Sequence, residues 1–352
     1  MKKIVCAALC AFFAWAGAFH AGAAPVKLVS AWLGEHETFA AWYAKKQGWD
    51  IAEGIDLHML RFDSGVAAVE GLKAYKWVVA GCGAVPALMA PMSENLDIIA
   101  VANDESLANA IFVRKESPIL SVKGVNASLP DVHGSADTVR GCTVLCPKGT
   151  SAHYLLLRWL QELGLTAKDV HLKSMEARQS LGAFSGGLGD VLATWSPFTL
   201  EATKRGFVPA ADSQSCGVSQ PVLLVANREY AEKNPQHIEA FLRVYFRAVD
   251  VIHSARPEDM AEEYMTFSSE WSGVQLDREQ AVWDLAAHKV FPVREQLSLF
   301  DGANGESRLH SWLSRIVSFQ KQFDLVKQAD EPRLDRLNAV NSVYLKAIGG
   351  ND

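Results

Sequence analysis

The chain has no extended basic tract. Its 34 Lys and Arg are outnumbered by 40 Asp and Glu, for a net charge of −6 over 352 residues. That balance argues against a nucleic-acid partner. It does not exclude an anionic ligand, because local N–H groups decide that. The common enzymatic signatures are also missing. There is no Gly-x-Ser-x-Gly nucleophile elbow, no P-loop and no dinucleotide-binding glycine fingerprint. The glycine-rich run Ser185–Gly189 precedes an apolar run instead of following one, so it reads as a loop and not a phosphate cradle. Beyond the N-terminus no stretch is long and apolar enough to span a bilayer.

Cysteine is scarce, with six in the chain. Two of them, Cys6 and Cys10, fall in a segment that reads as a secretory leader. Lys2 and Lys3 supply its charged start, Ile4 to Phe19 its apolar core, and Ala21-Gly22-Ala23 a small-residue cleavage site. Residues 1–23 are therefore expected to be removed, leaving an exported and more acidic protein. Cys82, Cys142, Cys146 and Cys216 remain. Cys142 and Cys146 would lie on one face of a strand, about 13 Å apart, too far to bridge. The Cys-x3-Cys spacing has no histidine pair nearby, so structural thiols or a more distant disulfide are favoured over a metal. Neither a metal nor a cofactor is expected.

The remaining length suits two α/β domains. Short apolar runs alternate with helical patterns: strands at Val26–Trp32, Ile55–Arg61, Trp77–Ala80 and Asp97–Ala102, helices between them. Ile111–Arg114 leaves this unit, and Ser117–Val139 reads as an exposed excursion with little structure. A second series follows, with strands at Thr143–Cys146, Val170–Lys173 and Asp190–Thr194. Val222–Ala226 is expected to return the chain to the first sheet. From Pro235 onward the pattern is helical. The expected division is 24–114 as a first lobe, 115–221 as a second, and 222–352 as the return strand with capping helices.

In open α/β sheets ligands bind beyond the carboxyl ends of strands, and domain junctions favour ligand sites. The turns after the strands are therefore the candidates. After Trp32 comes Leu33-Gly34-Glu35-His36-Glu37-Thr38. Its acids either bind an ammonium group or complement the following helix dipole. Gly81-Cys82-Gly83 lets backbone approach a ligand closely, or serves only a tight turn. Asn103-Asp104-Glu105-Ser106 offers two more acids. Thr150-Ser151-Ala152-His153 opens a helix, where free N–H groups attract an anion or are simply capped. Trp195 precedes a proline-started helix and is expected to wall the cleft. Ser151 beside His153 has no orienting acid, so catalysis there is not expected.

Several short motifs, in order, resemble one family. They are Arg61-Phe62-Asp63-Ser64-Gly65, Ala152-His153-Tyr154, Gly189-Asp190-Val191, Trp195-Ser196-Pro197-Phe198 and Arg228-Glu229-Tyr230-Ala231-Glu232-Lys233-Asn234-Pro235. They are similar to the periplasmic solute-binding proteins that serve ABC importers for taurine, aliphatic sulfonates and nitrate. The resemblance implies an α/β, two-lobed periplasmic-binding-protein-like (type II) fold with a hinged cleft and C-terminal helices. It implies a periplasmic, monomeric, non-enzymatic protein that hands its solute to a membrane permease. Carried onto this chain, it places an anion near Ser151, Ala152 and His153, with Cys82 and Gly83. A taurine-like zwitterion would need an acid among Glu35, Glu37, Asp104 and Glu105, with Trp32, His36 and Trp195 around it. The charged first turn departs from the family pattern and favours a zwitterion over nitrate. The alternatives are an exported sensor subunit or an enzyme resembling thiamine-pyrimidine synthases. The cysteine-rich iron motif of the latter has no counterpart here.

Overall fold

The computed structural model describes residues 24–88, 95–301, 307–322 and 339–349; the expected leader lies outside them. Two sheets organise the chain. The first contains β1 (Val26–Trp32), β2 (Ile55–Arg61), β3 (Val79–Gly83), β4 (Leu96–Asp104), β10 (Pro221–Asn227) and β11 (Lys289–Val290). Its order is β11-β4-β10-β3-β1-β2, with β1 parallel to β2 and β3 and β10 antiparallel between β3 and β4. The second contains β5 (Asn109–Val113), β6 (Thr143–Leu145), β7 (His171–Lys173), β8 (Val191–Trp195) and β9 (Val208–Asp212), in the order β7-β6-β8-β5-β9.

Burial explains the strand sequences. β3, β5 and β8 are buried at every position, as strands covered on both faces must be, and they are nearly continuous apolar or small-residue runs. The edge strand β2 instead keeps Ile55 and Leu57 inside and exposes His58. The helix Pro235–Ser254 buries Ile238, Phe241, Leu242, Tyr245, Val249 and Ile252 at the spacing of one helical face. It packs on the helix His36–Lys46, so Tyr245 stacks on Trp32 with ring centroids 6.1 Å apart.

Several boundaries differ from the sequence reading in one direction. β3 runs on through Gly83 and β4 through Asp104, because β10 hydrogen-bonds along both. The expected turn Gly81-Cys82-Gly83 is therefore the end of a strand. β9 was not foreseen. Its Val208-Pro209-Ala210-Ala211-Asp212 sequence carries little strand signal and is held by pairing with β5. The excursion Ser117–Val139 has little regular structure, as expected. It still buries Ile119, Val132 and Val139. All four cysteines among the described residues are free.

Two segments cross between the sheets, 105–108 and 213–220. They are bonded to each other: Glu105 N–H donates to Gln220 O (3.0 Å), Gln220 N–H to Ser106 Oγ (3.0 Å) and Ser213 N–H to Asn109 O (3.2 Å). These bonds hold the two crossing segments side by side. The C-terminal helices cover the first sheet, and the helix Arg278–Ala287 reaches across to the second.

Candidate functional site

The site grows from β3. A Cβ at Gly81 would stand 2.8 Å from Glu37 Cγ and 2.9 Å from the Trp32 ring, and a Cβ at Gly83 would stand 3.7 Å from Glu105 Oε1. Residues two apart on a strand share a face and are about 7 Å apart. Glu37 and Glu105 are thus set over the same face of β3, Glu37 delivered by the β1–helix turn and Glu105 by the first crossing segment. Gly81 has no room for a side chain under the Glu37 stem and the Trp32 indole. Glu35 is half-buried and lines a cavity of about 120 Å³ between the lobes, shared with Arg61, Asp63, Glu176, Arg178 and Phe198.

The three carboxyl groups feel each other. Burial raises Glu35 well above the usual carboxylate range, and Glu37, Glu105 and Asp284 raise it further; the nearby Trp195 indole opposes the rise without reaching hydrogen-bond geometry. Burial lifts Glu37 to about 7, against hydrogen bonds from the Thr38 hydroxyl and from backbone N–H groups. Burial lifts Glu105 to about 8, with Glu37 and Asp104 adding to the rise while Ser151 and Asn109 pull the other way. The Cys82 thiol is pushed up by burial and then by Glu37, Glu35 and Glu105, which marks it as their common neighbour.

Around the acids, buried polar atoms have no protein partner: Glu37 Oε2, Trp32 Nε1, Trp195 Nε1, Asn109 Oδ1 and both amide atoms of Asn103. Buried polar atoms are normally hydrogen-bonded, so such a concentration marks a place that something else completes. No group of three or more His, Cys, Asp or Glu among the described residues is arranged to hold a metal ion.

The lobes are joined across this site. Ser64 Oγ donates to Glu176 Oε1 (3.4 Å), Arg178 Nη2 to Ser272 O (2.9 Å) and Ser196 Oγ to Asp284 Oδ1 (2.5 Å). Asp284 Oδ2 accepts from the Tyr264 hydroxyl (2.6 Å), which leaves that oxygen to accept from His36 Nδ1 (3.3 Å). His288 stacks on His36 with centroids 4.7 Å apart. Burial, then His288, holds His36 well below the usual histidine range, so it is neutral at pH 7. On the far rim the Tyr154 and Phe319 rings meet at 4.4 Å, beside a larger groove of about 540 Å³ that includes Arg158 and Arg315. That groove shares no residue with the acidic cluster, whereas the smaller cavity shares Glu35 with it.

The structure brings together Trp32, Glu35, Glu37, Cys82, Gly83, Glu105 and Trp195, with Ser151 touching Glu105. His36 faces the Tyr264–Asp284 network instead. Asp104 accepts from the backbone N–H and hydroxyl of Ser106, closing a local turn. At the helix start the His153 N–H is capped by Thr150 Oγ1, and His153 Nδ1 accepts from Gly149 N–H (3.3 Å). Burial and then Lys148 hold it down at about 4. Ala152 is fully buried in the core. Asn109, Glu176, Arg178, Tyr264 and Asp284 were not foreseen, and Asn103 was named only as part of the turn that carries Asp104 and Glu105. Asp284 and Tyr264 lie within ordinary helices, where no local pattern announces them; Asn103 and Asn109 flank the acids already singled out and were within reach of that signal.

A sequence model described as the NMT1-like family matches residues 26–266. A Brachyspira hyodysenteriae protein named as an ABC transporter periplasmic binding protein is 25% identical over 218 residues, 62% of each chain. A Bacillus subtilis protein named as aliphatic sulfonates-binding is 28% identical over 213 residues, 58% of this chain and 60% of its own. The chain thus spans about 60% of the length of these curated relatives. The periplasmic nitrate-binding protein NrtA of Synechocystis superposes with a TM-score of 0.72 at 12% identity, over 93% of this chain and 89% of its own, a likeness of fold.

Proposed function

The chain belongs to the NMT1-like family, and on that premise we propose that it is the periplasmic solute-binding component of an ABC importer. It captures a small sulfonate-like or zwitterionic solute, with a taurine-like aminosulfonate favoured, and presents the closed form to a membrane permease. The observation that carries this is the meeting of buried polar atoms without a protein partner from both lobes, Glu37 Oε2 from one and Trp195 Nε1 from the other, near a cavity of about 120 Å³ lined by Glu35 and Arg61 from one lobe and Glu176 and Arg178 from the other. A solute that bonds to both walls binds the closed form better than the open one and shifts the population toward it. The names of the relatives support the transport role and the sulfonate-like ligand class.

The protein binds without turning its ligand over. Ser151 and His153 are two positions apart in sequence, but His153 Nδ1 accepts from Gly149 N–H, so no carboxylate orients the ring as a catalytic base requires. Export by the N-terminal segment places the protein in the periplasm, where it acts as a monomer. The test is titration of the purified protein with taurine, ethanesulfonate and nitrate. Binding is followed by calorimetry and closure by small-angle scattering. Micromolar binding with a smaller radius of gyration is expected. Turnover of a bound compound, or binding with no compaction, overturns the proposal.

A further inference from the structure

We infer that Arg178 and the π-helical turn Ser268–Ser272 form a latch at the mouth of the cleft, which sets how long the closed lobes retain a solute without choosing which solute it is. The inference rests on the reading of the chain as a two-lobed solute trap, and it names the contact that governs release.

The acceptor side of the latch is a helix end. Single π-helical turns are rare and occur frequently at functional sites. This one continues directly from the helix Pro257–Phe267 and stops at Gly273, whose left-handed conformation (φ 69°) closes it. A helix end leaves carbonyl oxygens without partners inside the helix and carries partial negative charge. Here two successive carbonyls each take a guanidinium. Arg61 Nη1 donates to Trp271 O (3.0 Å), and Arg178 Nη2 donates to Ser272 O (2.9 Å). Arg61 ends β2 of the first sheet, whereas Arg178 lies in the first turn of the helix Ala177–Ser185, which packs on β8 of the second. One turn is therefore tied to both lobes.

Each half of the cross-lobe contact is held within its own lobe. On the first, Trp271 Nε1 donates to Leu33 O (2.7 Å). Gly34 lets the turn come so close that a Cβ there would stand 3.3 Å from Ser272 Cα. On the second, the Arg178 guanidinium lies over the Phe198 ring, 5.3 Å from its centroid. Phe198 begins the helix that follows β8, so this support does not depend on closure. Donor and acceptor are both positioned in advance, and joining them orders little that was free.

The location gives the contact control over release. Ser272, Arg61 and Arg178 line the cavity of about 120 Å³ together with Gly34 and Glu35. Arg178 is exposed, which puts the contact at the outer rim of that cavity. Both bonded groups belong to the protein and neither belongs to the solute. The latch therefore adds the same stabilisation to the closed form whatever the cavity contains.

The experiment compares the parent with Arg178→Ala and Arg178→Lys, using taurine, ethanesulfonate and nitrate as probes. Release is followed by stopped-flow tryptophan fluorescence, and compactness at saturation by small-angle scattering. Arg178→Ala should speed release about 10-fold, the effect of losing one charge-assisted hydrogen bond at an exposed rim, and by a similar factor for every probe that binds. The saturated variant should also be less compact than the parent. Lysine keeps the charge but not the planar stacking on Phe198, so Arg178→Lys should fall between the two. Unchanged release, or faster release with unchanged compactness, overturns the latch and leaves the solute trap standing. A change confined to one of several binding probes also overturns it, because Arg178 then touches that solute. If no probe binds the parent, the solute trap itself is in question, and scattering without added solute decides the latch: a larger radius of gyration in Arg178→Ala supports it, and equal radii overturn it.

Discussion

Replacing Glu37 with Gln should make the ligand-free protein more stable at alkaline pH and leave it unchanged in acid. Glu37 is 1% exposed and its carboxyl is lifted from 4.5 to about 7, chiefly by burial. Its charge in turn raises Glu35 and Glu105, and Cys82 and Tyr245 feel it as well. A raised folded-state value means that the folded protein holds the proton more tightly than the unfolded chain. Stability from this group is therefore complete below about 4.5 and is lost as pH rises through about 7. A shift of that size corresponds to about 3 kcal/mol at pH 8.5. The figure is a ceiling, since opening of the lobes readmits water to the carboxylate. Gln keeps the shape and the acceptor for the Thr38 hydroxyl but removes the charge. Urea unfolding followed by circular dichroism at pH 5, 7 and 8.5 measures the difference. The variant should exceed the parent by less than about 1 kcal/mol at pH 5 and by up to about 3 kcal/mol at pH 8.5. A pH-independent difference, or a less stable variant at pH 8.5, would refute the account of the buried acids.

Other perturbations separate the parts of the site. Ser196→Ala removes the bond to Asp284 across the lobes; a hydrogen bond to a charged acceptor is worth about 1.5–3 kcal/mol, so solute affinity should fall about 10- to 100-fold with little change in the open form, as scattering and calorimetry would show. Trp195→Ala should weaken binding without unfolding the protein, and a normal titration curve would take Trp195 out of the site. Gly81→Ala puts a methyl 2.8 Å from Glu37 Cγ and 2.9 Å from Trp32; overpacking of that kind costs about 1–3 kcal/mol and should displace the acid, so both stability and binding should drop.

Much of the architecture is legible in the chain because local and global signals agree. Val26–Trp32 and Ile55–Arg61 are strands by pattern and by structure, and Gly48 closes the first helix in the left-handed conformation (φ 70°) that glycine adopts readily. Ser64 and Thr150 cap the helices their positions suggest. The turn Glu35-His36-Glu37 is recognisable because charge at a strand end is unusual, and Glu105 because it follows another strand. The pattern misleads where tertiary pairing extends an element. Gly81, Cys82 and Gly83 carry turn chemistry but lie in a strand, since β10 supplies the partner.

The chain by itself determined the alternation of strands and helices, the return of Val222–Ala226 to the first sheet, and the acids that follow β1 and β4. These depend on periodicity and on residues near in sequence. Only the tertiary structure decided that Glu37 and Glu105, 68 positions apart, share one face of β3 while His36 turns away from them. It also decided that Ser196 meets Asp284 across the lobes, and that Glu105 stands beside the Ser151 hydroxyl at the start of a helix. The physical reason is that charge and hydrogen bonding act through space. A carboxyl's protonation and its partners are set by burial and by neighbours brought together by the sheet, and neither is written in the residues beside it.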